Sequence, residues 1–412
     1  MEAAPSAPRI DPREIPPDPA RVLRRLFQDG FDAYLVGGCV RDLLLGLHPK
    51  DFDIATNARP RQVKRLFRNS RIIGRRFRLV HVQFGPHILE VSTFRAPPQP
   101  DEADPMILED NVFGTEEQDA FRRDFTINAL FYDLEHGRVI DHIGGLEDLA
   151  ARRIRMIGDP DLRLREDPVR ILRAAKFAGR LGFELTPELA AAARSHARDL
   201  AKAASPRVLE EIYRLLSNRG GARAFRLLEE LGALQVILPE ISPPPESFYR
   251  AVEGLEVLSG GERGGIPQSL MIATLLAPAV LPRLAAAPAH DYEAVATDIM
   301  RPIVLRLTVA RRDATIARHC LAAQMRLGEP PVSKAARRLA HGESFREVIE
   351  LRRLLGPSVA VDPDPFPEWE ALLGQPREEG GHGGRRRRRR RRRGRRGHGG
   401  GGGDAGPPPA AP

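Results

Sequence analysis

Cysteine and tryptophan are scarce in this 412-residue chain: two cysteines, Cys39 and Cys320, and one tryptophan, Trp369. Two cysteines so far apart match no metal-ligand spacing and build no disulfide framework. That sets aside the small secreted scaffolds and favours free thiols in a reducing cytoplasm. Long apolar runs are also missing. The longest, residues 269–288, contains Pro278, Pro282 and Arg283, and reads as a buried helix plus a turn, not a membrane span. The first nineteen residues lack the apolar core of a signal peptide. Most of the chain also lacks an excess of positive charge. The net charge is +9, yet residues 385–396 hold eleven arginines, so the remainder carries about −2.

That arginine run comprises Arg385, Arg386, Arg387, Arg388, Arg389, Arg390, Arg391, Arg392, Arg393, Arg395 and Arg396. It reads as a polyanion-binding tail. A chain this long exceeds one core, so several domains are expected. Residues 1–19 are proline-rich and are expected to be disordered. A mixed α/β head follows at 20–158, with strands at 33–36, 51–55 and 129–133 and a hairpin of 79–84 with 87–94 around Gly85-Pro86. Helices are expected at 19–28, 40–45 and 61–68, and a mobile loop at 96–118. From Pro160 onward strand signals almost vanish. Apolar residues recur at helical spacing in 169–181, 208–216, 222–231 and 304–327. This predicts a helical neck at 159–220 and a helical body at 221–375. Residues 376–412 are Arg/Gly/Pro-rich and read as a disordered tail.

Three groups of residues carry chemistry. Gly37-Gly38 follow a strand and open a helix, which suits a triphosphate; Arg41, Asp42 and Lys50 lie close by in sequence. Asp51 and Asp53 are two apart on a predicted strand, so their carboxylates share a face while Phe52 points to the core. Paired carboxylates call for a cation, and Mg²⁺ brings substrate phosphates with it, with Mn²⁺ able to substitute. A third acid is either Glu90, in the hairpin, or Asp124, in the string Arg122-Arg123-Asp124-Phe125-Thr126-Ile127-Asn128. The last group is Glu166-Asp167-Pro168-Val169-Arg170-Ile171-Leu172-Arg173. Asp167 caps a helix, Pro168 fits its first turn, and Arg170 and Arg173 share a face. Val169, Leu172 and Phe177 are assigned to the core face. Each piece alone also fits a bland reading: a solvated acid pair, a turn, a capped amphipathic helix. Cys39 at a helix start and Trp369 near the end read as packing residues. His81, His87, His136 and His142 show no zinc spacing.

Leu35-Val36-Gly37-Gly38, Arg41-Asp42, Asp51-Phe52-Asp53, Arg122-Arg123-Asp124 and Glu166-Asp167-x-x-Arg170-x-x-Arg173, in this order, resemble the motifs of the class II nucleotidyltransferases. That family holds the bacterial poly(A) polymerases and the CCA-adding enzymes. Residues 72–82, Ile-Ile-Gly-Arg-Arg-Phe-Arg-Leu-Val-His-Val, are similar to the polymerase signature, as are the run 110–115 and the arginine-rich end. The resemblance implies a nucleotidyltransferase head with helical neck and body. It implies Mg²⁺ on Asp51 and Asp53, nucleotide contacts from Arg123, Asp124 and Asn128, and adenine reading by Asp167 and Arg170. Asp141, Gly144-Gly145 and Asp148 would form a connector, and residues 205–211 the last neck motif. The expected activity is addition of AMP from ATP to RNA 3′ ends, with RNA-decay or RNA-chaperone proteins as further partners and no membrane. CCA addition to tRNA is the nearest alternative. A non-catalytic RNA-binding protein is the alternative of another class, set against by the presence of both Asp51 and Asp53.

Overall fold

Asp11 accepts the Arg13 N–H at 2.9 Å and caps a short 3-10 turn, Pro12–Glu14. Ile10 and Ile15 flank that turn and are buried in the core. The disorder expected through residue 19 therefore fails from Ile10 onward, because two branched apolar side chains anchor the segment. The computed structural model describes residues 9–74, 78–96, 99–100, 108–109, 112–259, 265–288, 291–356 and 364–374. The arginine run at 385–396, residues 75–77 of the signature-like segment and much of the stretch 97–111 lie outside the described residues.

Helix α1 (Pro17–Gln28) buries Val22, Leu23 and Leu26 on one stripe. Strand β1 (Ala33–Val36) runs into helix α2 (Gly38–Leu44) through Gly37 at φ 77°. A side chain at Gly37 would be strained in its backbone and would press on Arg123 Nη1 at 3.2 Å. Next come β2 (Ile54–Thr56), α3 (Pro60–Leu66), β3 (Ser70–Ile73), β4 (Leu79–Phe84) and β5 (His87–Thr93). Two short strands, β6 (Gln99–Pro100) and β7 (Leu108–Glu109), pair antiparallel, and helix α4 (Glu116–Arg122) starts from a Thr115 capping box. The stretch expected to be one loop at 96–118 thus contains a strand pair and a helix start. Strands β8 (Phe131–Asp133) and β9 (Arg138–Ile140) complete a seven-stranded sheet of order β3-β4-β5-β2-β1-β8-β9. Only β2 and β5 run parallel within it.

Along β4 and β5 the side chains alternate. Val80, Val82, Leu89 and Val91 join the core beneath α1 and α3, while Gln83, Ile88 and Glu90 face solvent. The structure starts β2 at Ile54, three residues later than expected. Asp51 and Asp53 lie on the approach to the strand, still exposed on either side of buried Phe52.

The neck follows. After α5 (Gly145–Ala150) and β10 (Arg153–Ile154) come α6 (Pro160–Glu166) and α7 (Arg170–Leu181). The expected strand silence has an exception: β11 (Glu184–Leu185) pairs with β10 in parallel. Helices α8 (Pro187–His196), α9 (Ser205–Ser217) and α10 (Gly221–Glu230) lead into the body. There the single helix expected over 304–327 is two, Tyr292–Leu307 and Arg311–Gln324, because Thr308 adopts φ 57° and stops the first. Helix Gln268–Ala285 is long and apolar enough to cross a membrane, yet most of it is buried inside the body. Pro278 and Pro282 lie within it instead of ending it. Trp369 is buried against Phe345, and its Nε1–H donates to the Glu329 carbonyl at 2.8 Å. Contacts run on without a break, so the chain up to Leu373 is one compact unit.

Candidate active site

An open cleft of about 480 Å³ lies where the head meets the neck. Its floor is the turn between β1 and α2, with Gly37, Gly38 and Asp53. One wall is the end of α4 and the segment after it, with Arg122, Arg123, Asp124 and Asn128. The facing wall is the neck, with Asp167, Arg170, Arg173, Phe177, Arg180 and Arg207.

The acids at the mouth, Asp51, Asp53 and Glu90, are exposed, and among the described residues none is paired with arginine or lysine; His81 Nε2 lies 3.3 Å from Glu90. Asp53 is open to water, but the protein around it removes part of its hydration. That desolvation, with the Glu90 charge and then Asp51, pushes its carboxyl up to about 6 against the pull of Arg123. Among the described residues no three His, Cys, Asp or Glu side chains converge tightly enough to cage a metal alone. Such a sparse donor set fits Mg²⁺, which keeps waters and phosphate oxygens and needs only one or two carboxylates.

Deeper in, every acid is already paired. Asp124 receives Arg173 Nε at 2.8 Å and Nη2 at 2.5 Å, the Phe125 N–H at 2.9 Å and the Asn128 amide at 3.3 Å. Burial alone would raise its carboxyl; the Arg173 guanidinium outweighs that and holds it low. Asn128 in turn accepts Arg41 Nη1 at 2.5 Å, and Arg41 binds Asp42 through Nε and Nη2. Asp42 also receives Arg180 Nη2 from α7 at 2.6 Å. Arg41 and Asp42 are both nearly fully buried. Behind Arg173, Glu211 of α9 takes Lys176 Nζ at 2.7 Å. A continuous chain of ion pairs and hydrogen bonds, linked through the Asn128 amide, therefore fastens the neck to the head directly under the cleft.

The neck wall is pinned in the same way. Asp167 accepts Arg207 Nη2 at 2.6 Å, and its other oxygen accepts the Val169 N–H at 3.3 Å. Its backbone carbonyl receives the Arg170 N–H, which closes the turn between α6 and α7. Asp167 ends α6 and Val169 is the N-cap of α7, so the helix starts two residues later than the expected cap at Asp167 and Pro168 lies before its first turn. Arg170 Nη1 donates to the Arg163 carbonyl at 2.5 Å and to Glu166 at 3.2 Å. Arg163 reaches across to the carbonyls of Arg122 and Arg123 at 2.8 and 2.9 Å. Arg123 is held by Asp119 at 2.9 Å and lies over the Phe131 ring.

The structure brings Gly37, Gly38, Arg41, Asp53, Arg123, Asp124, Asn128, Asp167, Arg170 and Arg173 to one cleft. Asp42 is beneath it. Asp51 and Glu90 flank Asp53 outside the lining, and Lys50 is exposed on the preceding loop. Phe177, assigned to the core face, does pack against the core and edge-on to buried Phe125, and it also lines the cleft, with Arg41 and Lys176 over its ring at 5.2 and 5.0 Å. Sequence reasoning also missed Arg163, Lys176 and Arg180. Helical spacing could have found part of this face: 170, 173, 177 and 180 are three or four apart, and all four are half-buried while the residues between them are buried. Cys39 is buried, and desolvation pushes its thiol up to about 12, so it packs and does not react. Asp141 accepts the N–H groups of Ile143, Gly144, Gly145 and Leu146 and so caps α5. Asp148 is buried and holds Thr126 and Arg155.

Comparison with known proteins agrees with this layout. The family model described as "Poly A polymerase head domain" matches residues 33–155. A second, "Probable RNA and SrmB- binding site of polymerase A", matches 182–243. Poly(A) polymerase I of Escherichia coli O6:H1 is 37% identical over 369 residues, covering 84% of this chain and 79% of that protein. The CCA-adding enzyme of Bacillus pumilus is 37% identical over 247 residues, 58% of this chain and 60% of that protein. The solved structure of the Bacillus stearothermophilus CCA-adding enzyme in complex with CTP matches at a TM-score of 0.62 and 29% identity, over 87% of this chain and 82% of that one. By its motifs, its fold and these likenesses, the chain belongs to the poly(A) polymerase and CCA-adding family of class II nucleotidyltransferases.

Proposed function

We propose that the protein adds AMP from ATP to the 3′ end of RNA without a template and releases pyrophosphate. The observation that carries this is the opposition of two walls. Carboxylates with no arginine or lysine partner among the described residues stand at the mouth, and a neck wall with a fixed acceptor, Asp167, and a fixed donor, Arg170, stands across the cleft. An adenine offers a matching donor and acceptor on one edge, so protein side chains replace a template. The long match to poly(A) polymerase I supports ATP over CTP.

Gly37 and Gly38 let the triphosphate approach the backbone, and Arg123 and Arg173 supply positive charge beside it. Asp51 and Asp53 would hold Mg²⁺, or Mn²⁺ in its place, with Glu90 as the third acid. Glu90 is chosen over Asp124 because it is the acid whose charge bears most on Asp53, whereas Asp124 is committed to Arg173. The cation, when bound, lowers the pKa of the attacking hydroxyl and balances charge on the departing pyrophosphate. The protein's own share is position: the buried Arg41–Asp42–Arg180 cluster and the Asp124–Arg173 pair keep neck and head in register. Two free, buried thiols suit a reducing compartment such as the cytoplasm.

CCA addition is the second reading, favoured by the likeness to the CTP-bound structure. The test is extension of a short oligo(A) RNA and of a tRNA lacking its CCA end, with Mg²⁺ and each NTP alone, and Asp51→Ala as the blank. A long ladder with ATP alone, absent in the variant, is the expected result. A stop after three additions that needs CTP would move the assignment to CCA addition. No extension with any NTP would overturn the catalytic reading.

A further inference from the structure

We propose that the open face of β3, β4 and β5 is the docking surface for the 3′-terminal stretch of the RNA being extended. This rests on the nucleotidyl-transfer reading above. The groups that would hold the nucleotide, Gly37, Gly38, Arg123 and the neck arginines, all lie on one side of Asp53, towards β1, β8 and α7. Phosphoryl transfer runs in line, with attacking and leaving oxygens on opposite sides of the phosphorus. The RNA hydroxyl therefore arrives from the other side of Asp53, and the sheet order puts β5, β4 and β3 there.

That face carries a graded row of side chains. The register Ile54↔Val91 places Asp53 beside Glu90; Glu90 is opposite His81, and His81 is opposite Arg71. Residues aligned across strands share a face. Asp53, Glu90, His81 and Arg71 therefore form one line across the sheet, from acid at the reaction centre to base at the edge strand. At about 4.8 Å per strand, Arg71 sits roughly 14 Å from Asp53. The acidic end suits a terminal hydroxyl, and the basic end suits a phosphate a few nucleotides upstream. Arg71 is exposed and makes no ion pair with a described residue. In the next row Gln83 faces Ile88, an exposed apolar side chain, which gives a base a flat contact and an amide. The opposite face cannot serve, since α1 and α3 cover it. The partner is single-stranded RNA held by its backbone, so the contact is blind to sequence.

Arg71→Glu in the full chain is expected to raise the KM for oligo(A) about tenfold and to lower its salt slope by about one, with the KM for ATP and kcat unchanged. Arg71→Lys should recover most of the loss. Arg65→Glu on α3, behind the sheet, should change neither constant. In a second measurement, an oligo(A) with a photoreactive base near its 3′ end is crosslinked to the wild-type protein. The crosslink is expected within the peptides of residues 70–90. An unchanged RNA KM in Arg71→Glu, or crosslinks confined to the neck helices, would overturn the proposal and leave the polymerase reading intact. A wild type that extends nothing would defeat that reading instead, and the crosslink would still decide whether RNA occupies this face.

Discussion

The acids of the cleft fall into two populations that differ in what they lack. Asp51, Asp53 and Glu90 are exposed, crowded by one another and short of a cation. Asp42, Asp124 and Glu211 are buried, and each is met by arginine or lysine: Arg41 and Arg180, Arg173, and Lys176. The first set stores repulsion that the proposed cation would relieve. The second has already been neutralised and acts as a fastener between head and neck. On the proposed reading the same residue type would serve chemistry in one place, while in the other it serves assembly, and the neighbouring charge decides which.

This contrast can be broken most severely at Asp53. Asp53→Ala should cut kcat by about 10³-fold or more while the thermal unfolding profile stays native-like. Asp124→Ala should do the reverse in emphasis. Removing Asp124 leaves the partly buried Arg173 with only Glu211 at 3.7 Å and should cost about 2 kcal/mol of stability, read by denaturant unfolding, with activity falling as a consequence. A milder break is Lys176→Met. Glu211 keeps Arg214 at 2.7 Å and Arg173 at 3.7 Å, so the expected loss is only about 1 kcal/mol.

The two populations should also titrate with opposite sign. The Asp53 carboxyl, raised to about 6, favours the metal-free fold below the unfolded value of 3.8 and withdraws that support as pH rises through 6. Asp53→Asn should therefore raise the melting temperature of metal-free protein at about pH 8 and leave it nearly unchanged at about pH 4. Asp124 is held low, so its contribution is present above 3.8 and fades as the solution is acidified through its own lower value. Asp124→Asn should accordingly cost most near neutrality.

Much of the exposed population was legible in the sequence, since strand, glycine pair and two acids at spacing two are local signals. The alternation Asp51-Phe52-Asp53 survived even though β2 begins later, because Phe52 still seeks the core. The buried population was not legible. Asp42 finds Arg180 138 positions away, and Arg173 finds Asp124 49 away, distances at which no spacing rule operates. Phe177 was legible as a core contact but not as part of the cleft, because the guanidinium of Arg41 above its ring comes from another helix. In the body, Thr308 broke a helix that apolar periodicity carried straight through, since a left-handed residue other than glycine leaves little trace in sequence.

Manganese binding followed by electron paramagnetic resonance tests the distinction between the two populations most directly. Wild type, Asp53→Asn and Asp124→Asn would be titrated with Mn²⁺ at about pH 8 and about pH 5, on either side of the Asp53 value. The expected result is tight binding by wild type at the higher pH and weaker binding at the lower, loss in Asp53→Asn, and retention in Asp124→Asn. Unchanged binding in Asp53→Asn, or equal loss in Asp124→Asn, would contradict the division drawn here between acids that await a cation and acids that already have one.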